Sequence, residues 1–504
     1  MEEKVGWSNV FKDGLALYTI MLNLGIGLHA VDVFIVTTVM PSIVRDIGGA
    51  SYYSWTTMLY MVASIIGAAT GSPLKGKLGA RRAYCLGSLL FLFGSVSCAL
   101  SPTMVILLSA RLVQGFGGGL IISLSMALVS ELYPERLRKR ILGLISSTWG
   151  VAALVGPAVG GTFAQYGFWR GAFWINAPII LGFMLTAWFR LPEGTAAAVK
   201  KIFPWRRMGL LALGVLCVGI ASDWKALAIQ LGLITSAGEV TDLFVQGALV
   251  VAAVLMVWQT LRLDAAGSSK IFPSHPFSIR TTTGSASWAF FLSSMTHTVI
   301  GVFLPLALQV LHGVDPLAAG YMTASLAVCW TLASMATAHL HGRAASAAIV
   351  AGQVMCVAGL GALAFGIERV PTFVVPMLNG LVGLGLGCSN LHVTAAAMMH
   401  ARRGEETLTA SSIPTIRSLG IAFGAAAAGV IANGAGLTDA LRHDDVERAV
   451  LAVLGIGVLA PIGALIVSIR FVGLLGSASL ELGANPAANP GQARSAPDSA
   501  GAIH

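Results

Sequence analysis

Long apolar runs, broken at short intervals by basic or turn-forming clusters, set the pattern of this chain. A helix needs roughly 20 mostly apolar residues to cross the hydrocarbon of a bilayer. Runs of that kind lie at 14–40, 53–71, 83–100, 104–127, 141–165, 172–190, 208–222, 242–261, 284–310, 317–339, 346–366, 372–399, 409–433 and 449–471. They predict fourteen spanning helices and an all-α, polytopic membrane fold. The seventh run is the least regular, because Asp223 and Lys225 interrupt it. Residues 14–40 continue into Asp32 and Pro41 without a small-residue cleavage pattern, so they read as a retained helix and not as a signal peptide.

Composition agrees: 56% of residues are hydrophobic and 11% charged, against about 25% charged in a soluble domain. The six cysteines, Cys85, Cys98, Cys217, Cys329, Cys356 and Cys388, all fall in apolar runs without metal-ligand spacing. They read as packed free thiols, and no metal site is expected. No loop is long enough for a soluble catalytic domain, so neither catalytic residues nor a cofactor are expected, and the chain reads as no enzyme.

The net charge of +9 does not mark a nucleic-acid partner, because the basic residues alternate from loop to loop. Lys75, Lys77, Arg81 and Arg82 follow the second run, Arg136, Arg138, Lys139 and Arg140 the fourth, and Lys200, Lys201, Arg206 and Arg207 the sixth. Intervening loops hold few. The positive-inside rule then places these connections, and both termini, in the cytoplasm. The expected organisation is a six-helix bundle at 1–190, a cytoplasmic linker with two inserted helices at 191–283, a second six-helix bundle at 284–475, and a disordered, Ala/Gly/Pro/Ser-rich tail at 476–504. A weak internal repeat supports two related halves: LVGPAVGG (154–161) matches AFGAAAAG (422–429), and RLVQGFGGG (111–119) resembles GLVGLGLG (380–387). Repeats around a midplane site are a common transporter plan.

Three motifs stand in order along the chain: AVDVFIVTTVMPSI (30–43) in the first run, SARLVQGFGGG (109–119) with its arginine in the fourth, and AALVGPAVGG (152–161) in the fifth. Together they resemble the motifs of the major facilitator superfamily and, within it, of the fourteen-spanner drug:proton antiporters. FWRGAFWINAPI (168–179) is similar to that group as well. In the fifth run Pro157 lacks an amide donor, while Gly156, Gly160 and Gly161 leave a smooth face for a neighbouring helix, which suits either a rocking seam or ordinary tight packing. The loop GKLGARRAY (76–84) departs from the resemblance: it keeps Gly76, Arg81 and Arg82 but is short and lacks the family's aspartate. Glu131 is the residue expected to pair with Arg81 or Arg82 there, or to form a solvated surface pair.

Asp32 carries the candidate chemistry. A charge at the centre of a spanning helix costs about 2.5–3.5 kcal/mol on insertion scales and usually faces a cavity or partner. Asp32 is thus either a proton-coupling site, with His29 on the same helix face and Arg111 as its releasable partner, or half of a structural ion pair with Arg111. Tyr60, Met61, Trp149, Phe291 and Met295 are candidate walls for a flat lipophilic guest, with core or lipid packing as the alternative. His297, Gln353, His392 and Arg417 are candidate polar positions of the same cavity. No Asp or Glu interrupts the ninth to thirteenth apolar runs, so Asp32 is its expected lone carboxylate.

The resemblance implies a proton-coupled exporter of lipophilic, neutral or monocationic small molecules, working by alternating access in a bacterial inner or plasma membrane. Its partners would be the substrate, the bilayer and, where an outer membrane must be crossed, a periplasmic adaptor protein. Two other readings stand beside it: a dedicated exporter of one endogenous metabolite such as a siderophore, antibiotic or amino acid, and a membrane receptor without turnover.

Overall fold

The computed structural model describes residues 10–12, 14–191, 205–222, 224, 239–267, 270–402, 404–437 and 441–484. Among these, helix is the only regular structure. The elements are α1 (Ala16–Ile47), α2 (Trp55–Ala99), α3 (Met104–Leu132), α4 (Glu135–Gln165), α5 (Gly171–Trp174), α6 (Asn176–Arg190), α7 (Trp205–Ser222), α8 (Glu239–Ala266), α9 (Thr282–Val310), α10 (Pro316–Thr337), α11 (Gly342–Gly366), α12 (Val375–Met399), α13 (Glu406–Gly434), α14 (His443–Gly457) and α15 (Leu459–Ala484).

Twelve segments of the described residues are long and apolar enough to cross a membrane, α5 with α6 and α14 with α15 each counting as one. The sequence predicts fourteen. Part of the difference is α2, which holds two predicted spans joined at Gly79, where φ 80° and ψ 166° reverse the chain in one residue. That backbone region is open essentially to glycine alone, so the expected loop shrinks to a point and helix runs on through Leu78. Counting the two limbs separately gives thirteen. The remaining predicted span is α7, which is not among the twelve, and the interrupting residues Asp223 and Lys225 lie outside the described residues. The helix α15 also runs through Ala484, beyond the expected start of the tail at 476, and residues 485–504 lie outside the described residues.

Close glycine packing builds both halves on the same plan. In α3, Gly115 and Gly119 lie against the Tyr60 and Ser64 carbonyls of one α2 limb, and Gly117 lies against Phe91 of the other. In α12, Gly383 and Gly387 lie against the Leu326 and Trp330 carbonyls of α10, and Gly385 against Gly352 and Cys356 of α11. A methyl group at these positions would collide with backbone. The repeat therefore pairs Gly115 with Gly383, one residue out of step with the alignment of sequence, and sets Asn379 opposite Arg111.

The bundle has two ends. At the basic end, where α2 turns, Tyr18 Oη donates to the Arg190 carbonyl (2.8 Å) and Arg81 Nε to the Leu191 carbonyl (2.7 Å). The inserted pair α7–α8 is fixed there by Asp264, which accepts from Arg207 (2.5 Å), Ile271 N (2.9 Å) and Phe272 N (2.9 Å). Glu405 in turn holds Ser274, with Lys270 3.9 Å away. At the distal end, where α1 finishes, the two halves meet: Gln309 donates to the Thr38 carbonyl (3.1 Å) and Asn433 to the Ser51 carbonyl (2.9 Å).

Candidate functional site

Asp32 sits midway along α1 and is fully buried; Arg111, on α3, is 1% exposed. Arg111 Nη1 donates to Asp32 Oδ2 at 2.6 Å and to Gln114 Oε1 at 2.6 Å. Gln114 Nε2 and Asn176 Nδ2 both donate to Asp32 Oδ1, at 2.8 and 3.2 Å. The same two amides also reach Ser95 Oγ, at 3.1 and 2.8 Å. Every oxygen of the carboxylate is engaged, which is the condition under which a buried ion pair is tolerated.

Gln114, Asn176 and Ser95 were not singled out in the sequence. Two of them carried a signal: Gln114 lies three residues after Arg111, on the same helix face, and Asn176 lies inside the stretch at 168–179. That stretch has a second task at the distal end, where Trp169 Nε1 and Arg170 Nη1 donate to Asp46 at 3.0 and 2.6 Å.

The guanidinium of Arg111 lies 3.9 Å from the centre of the Tyr60 ring, and Tyr60 Oη hydrogen-bonds His29 Nδ1 at 2.7 Å. Gly118 makes room for the imidazole, and Trp149 meets it edge-on with ring centres 6.2 Å apart. Asp32, Arg111, Tyr60 and His29 thus form one continuous polar chain. Tyr60 belongs to this chain and is fully buried, so in this conformation it lines no open cavity. Met61 is also packed in the core, 4% exposed, because its helix face is covered.

The small residues of α4 work on two sides. Gly156 and Gly160 press on Phe34 and Ile35 of α1, and Gly161 and Pro157 press on Leu317 and Gly320 of α10. The α4 helix therefore links the Asp32-bearing helix directly to the second half. At the basic end Glu131 pairs with Lys75, and not with Arg81 or Arg82. The reason is the late bend: helix continues past Gly76, so Lys75 stands on the helix facing α3. Arg81 is turned to the Leu191 carbonyl, and Arg82 is exposed.

The predicted polar positions of the second half fall into separate groups. Gln353 Nε2 donates to Ser389 Oγ (2.8 Å) and Ser293 Oγ (3.3 Å), and its Oε1 is buried without a partner. Arg417 Nη2 reaches Asn390 Oδ1 (3.2 Å) and Thr394 Oγ1 (3.5 Å) on the same helix α12. His297 stands apart, edge-on to Trp330 at 6.0 Å, and His392 is buried with Nε2 unpartnered. Phe291 joins Trp288 and Phe423 in an aromatic run with ring centres 5.8 and 6.0 Å away, and half-buried Met295 lies beside Gly424. No cluster of His, Cys, Asp or Glu among the described residues could hold a metal ion.

Residues 22–425 match the family model described as Major Facilitator Superfamily. The chain belongs to the major facilitator superfamily. It is a multi-pass membrane transporter, and not an enzyme. It is 31% identical over 479 residues to a Mycobacterium tuberculosis protein named "Probable multidrug-efflux transporter", covering 90% of this chain and 97% of that one. It is 27% identical over 327 residues to multidrug resistance protein 3 of Bacillus subtilis, covering 62% and 59% of the two chains. The fold resembles a POT family transporter solved with 5-aminolevulinic acid (TM-score 0.61, 14% identity, 90% and 96% covered). It also resembles a D-xylose-proton symporter (TM-score 0.59, 16% identity, 89% and 97% covered). At these identities the two structures bear on fold alone.

Proposed function

We propose that this transporter is a proton-coupled antiporter of the fourteen-spanner drug-exporting group, which expels lipophilic small molecules by alternating access. The observation that carries the reading is the wired carboxylate, Asp32. Protonation would cancel its attraction for Arg111 and free the guanidinium. Asp32 lies within a turn of Phe34 and Ile35, the α1 residues that Gly156 and Gly160 touch, so a shift of α1 passes into α4. From α4 it passes through Pro157 and Gly161 to α10. The names of the relatives favour efflux over uptake.

The basic end faces the cytoplasm in this reading, with both termini, and the membrane is a bacterial inner or plasma membrane. A driving force of about 150 mV supplies roughly 3.5 kcal/mol per proton, enough for a gradient of about 300-fold. The sequence-based expectation of monocationic cargo depends on Asp32 being available to it. In the closed network its oxygens are already taken by Arg111, Gln114 and Asn176. Neutral cargo fits this state better than cationic cargo.

A dedicated exporter of one metabolite is the second reading, favoured by the polar side chains Ser293, Gln353, Ser389, Asn390 and Arg417 within one half. A dye panel separates the two in inverted membrane vesicles energised by a pH gradient. Efflux of several unrelated lipophilic dyes supports the first reading, and a gradient that moves none of them refutes it.

A further inference from the structure

Two charged centres within the bundle differ in one respect. Asp32 and Arg111 neutralise each other, whereas Arg417 has no carboxylate partner among the described residues. Its Nη2 meets only the neutral oxygens of Asn390 and Thr394, and its Nε is buried without an acceptor. The nearest acidic residues of its own helix are at the basic end. Glu406 lies about 16 Å away along α13 at 1.5 Å per residue, and Glu405 is committed to Ser274 and Lys270. The guanidinium is nevertheless held in place: Phe290 lies under it, 5.0 Å from the ring centre, and Asn390 is locked by its own bond from Nδ2 to the Leu386 carbonyl (3.1 Å). The residue as a whole is partly exposed.

An arginine fixed beside an aromatic ring, short of acceptors and without a counter-charge, is built for a planar anion. Its fork of N–H donors matches two carboxylate oxygens, and such charge-assisted pairs are about twice as strong as neutral ones. We infer that Arg417 receives a carboxylate on the cargo, so that the preferred substrates are lipophilic acids. This rests on the export reading above and assigns the substrate class within it. The carboxylate would supply the missing charge in the second half and leave Asp32 free for its proton.

The test is binding to the full-length protein in nanodiscs without any gradient, read by quenching of intrinsic tryptophan fluorescence. The probes are 1-pyrenebutyrate, its methyl ester and 1-pyrenebutylammonium, which share a flat lipophilic body. The acid should bind roughly tenfold to hundredfold tighter than the ester, the worth of a hydrogen-bonded charge, and the ammonium weaker than both. Arg417→Gln should bring the acid down to the ester while the ester keeps its affinity, which also reports an intact fold; Arg417→Lys should fall between. Equal binding of acid and ester by the wild type, no binding of the acid, or equal loss of both in Arg417→Gln would each overturn the assignment. Preference for the acid without transport under a pH gradient would keep this site and sink the export reading. Transport that is indifferent to the acid would do the reverse.

Discussion

Replacing Asp32 by Asn tests whether the buried network couples protons or only holds helices together. The amide keeps the shape of the side chain but removes both the titrating proton and the negative charge. Arg111, 1% exposed, would then keep its positive charge against Gln114 Oε1 (2.6 Å), the Thr56 carbonyl (3.5 Å) and the Tyr60 ring (3.9 Å). Breaking one partner of a buried pair costs about 3–5 kcal/mol, and these residual acceptors place the loss near the lower end. The change is isosteric, but the saturated pair makes a stability loss the expected result. Arg111→Gln in the same protein should restore most of that stability, since the leftover charge is gone, while transport stays abolished. Thermal melts of the two single variants and the double variant measure the coupling, and proteoliposomes driven by a pH gradient measure transport. Accumulation of a dye against its gradient by Asp32→Asn, with the pH difference as the sole driving force, would refute the proton assignment. A double variant no more stable than Asp32→Asn would refute the energetic argument.

Three further outcomes follow from the packing. Gly161→Leu and Gly320→Leu place bulk where a Cβ already meets Leu317 at 2.5 Å or Pro157 at 2.8 Å; overpacking of about 1.4 kcal/mol would slow turnover roughly tenfold, and equal loss of dye affinity would mean that the seam only supports the fold. Asp264→Asn removes the charge that Arg207 faces and weakens the bonds to Ile271 and Phe272, so the inserted helices should become sensitive to limited proteolysis at a cost of about 1–3 kcal/mol, with an unchanged digest counting against it. Burial alone would raise the carboxyl of Glu405, but its two bonds from Ser274 and the nearby Lys270 outweigh this and hold it below the ordinary glutamate value. A depressed carboxylate contributes stability above the unfolded pKa of about 4.3 and loses it as pH falls through the folded value. The melting difference between wild type and Glu405→Gln should therefore be flat near neutrality and shrink on acidification, and a difference that grew would reverse the sign.

The sequence by itself determined the solvent, the class and the place of Asp32 in the first spanning run, because each is a property of composition and spacing. Runs of about 20 apolar residues admit few structures other than membrane helices, and Asp32 is conspicuous because so few charges interrupt them. The glycines of α3 and α4 were legible for a similar reason: a helix face without side chains has to be covered by another helix.

Tertiary structure decided everything that depends on which faces meet. Gln114, Asn176 and Ser95 come from three helices and converge on Asp32 only after packing. The place of Tyr60 in the His29 chain turns on a helix rotation that periodicity does not resolve, and the pairing of Glu131 with Lys75 turns on the late bend at Gly79. The hairpin at Gly79 hid in a run of basic and glycine residues that reads as a loop. The contrast between a neutralised Asp32 and an Arg417 without a carboxylate partner among the described residues could not be read in one dimension, since both are single charges in apolar runs.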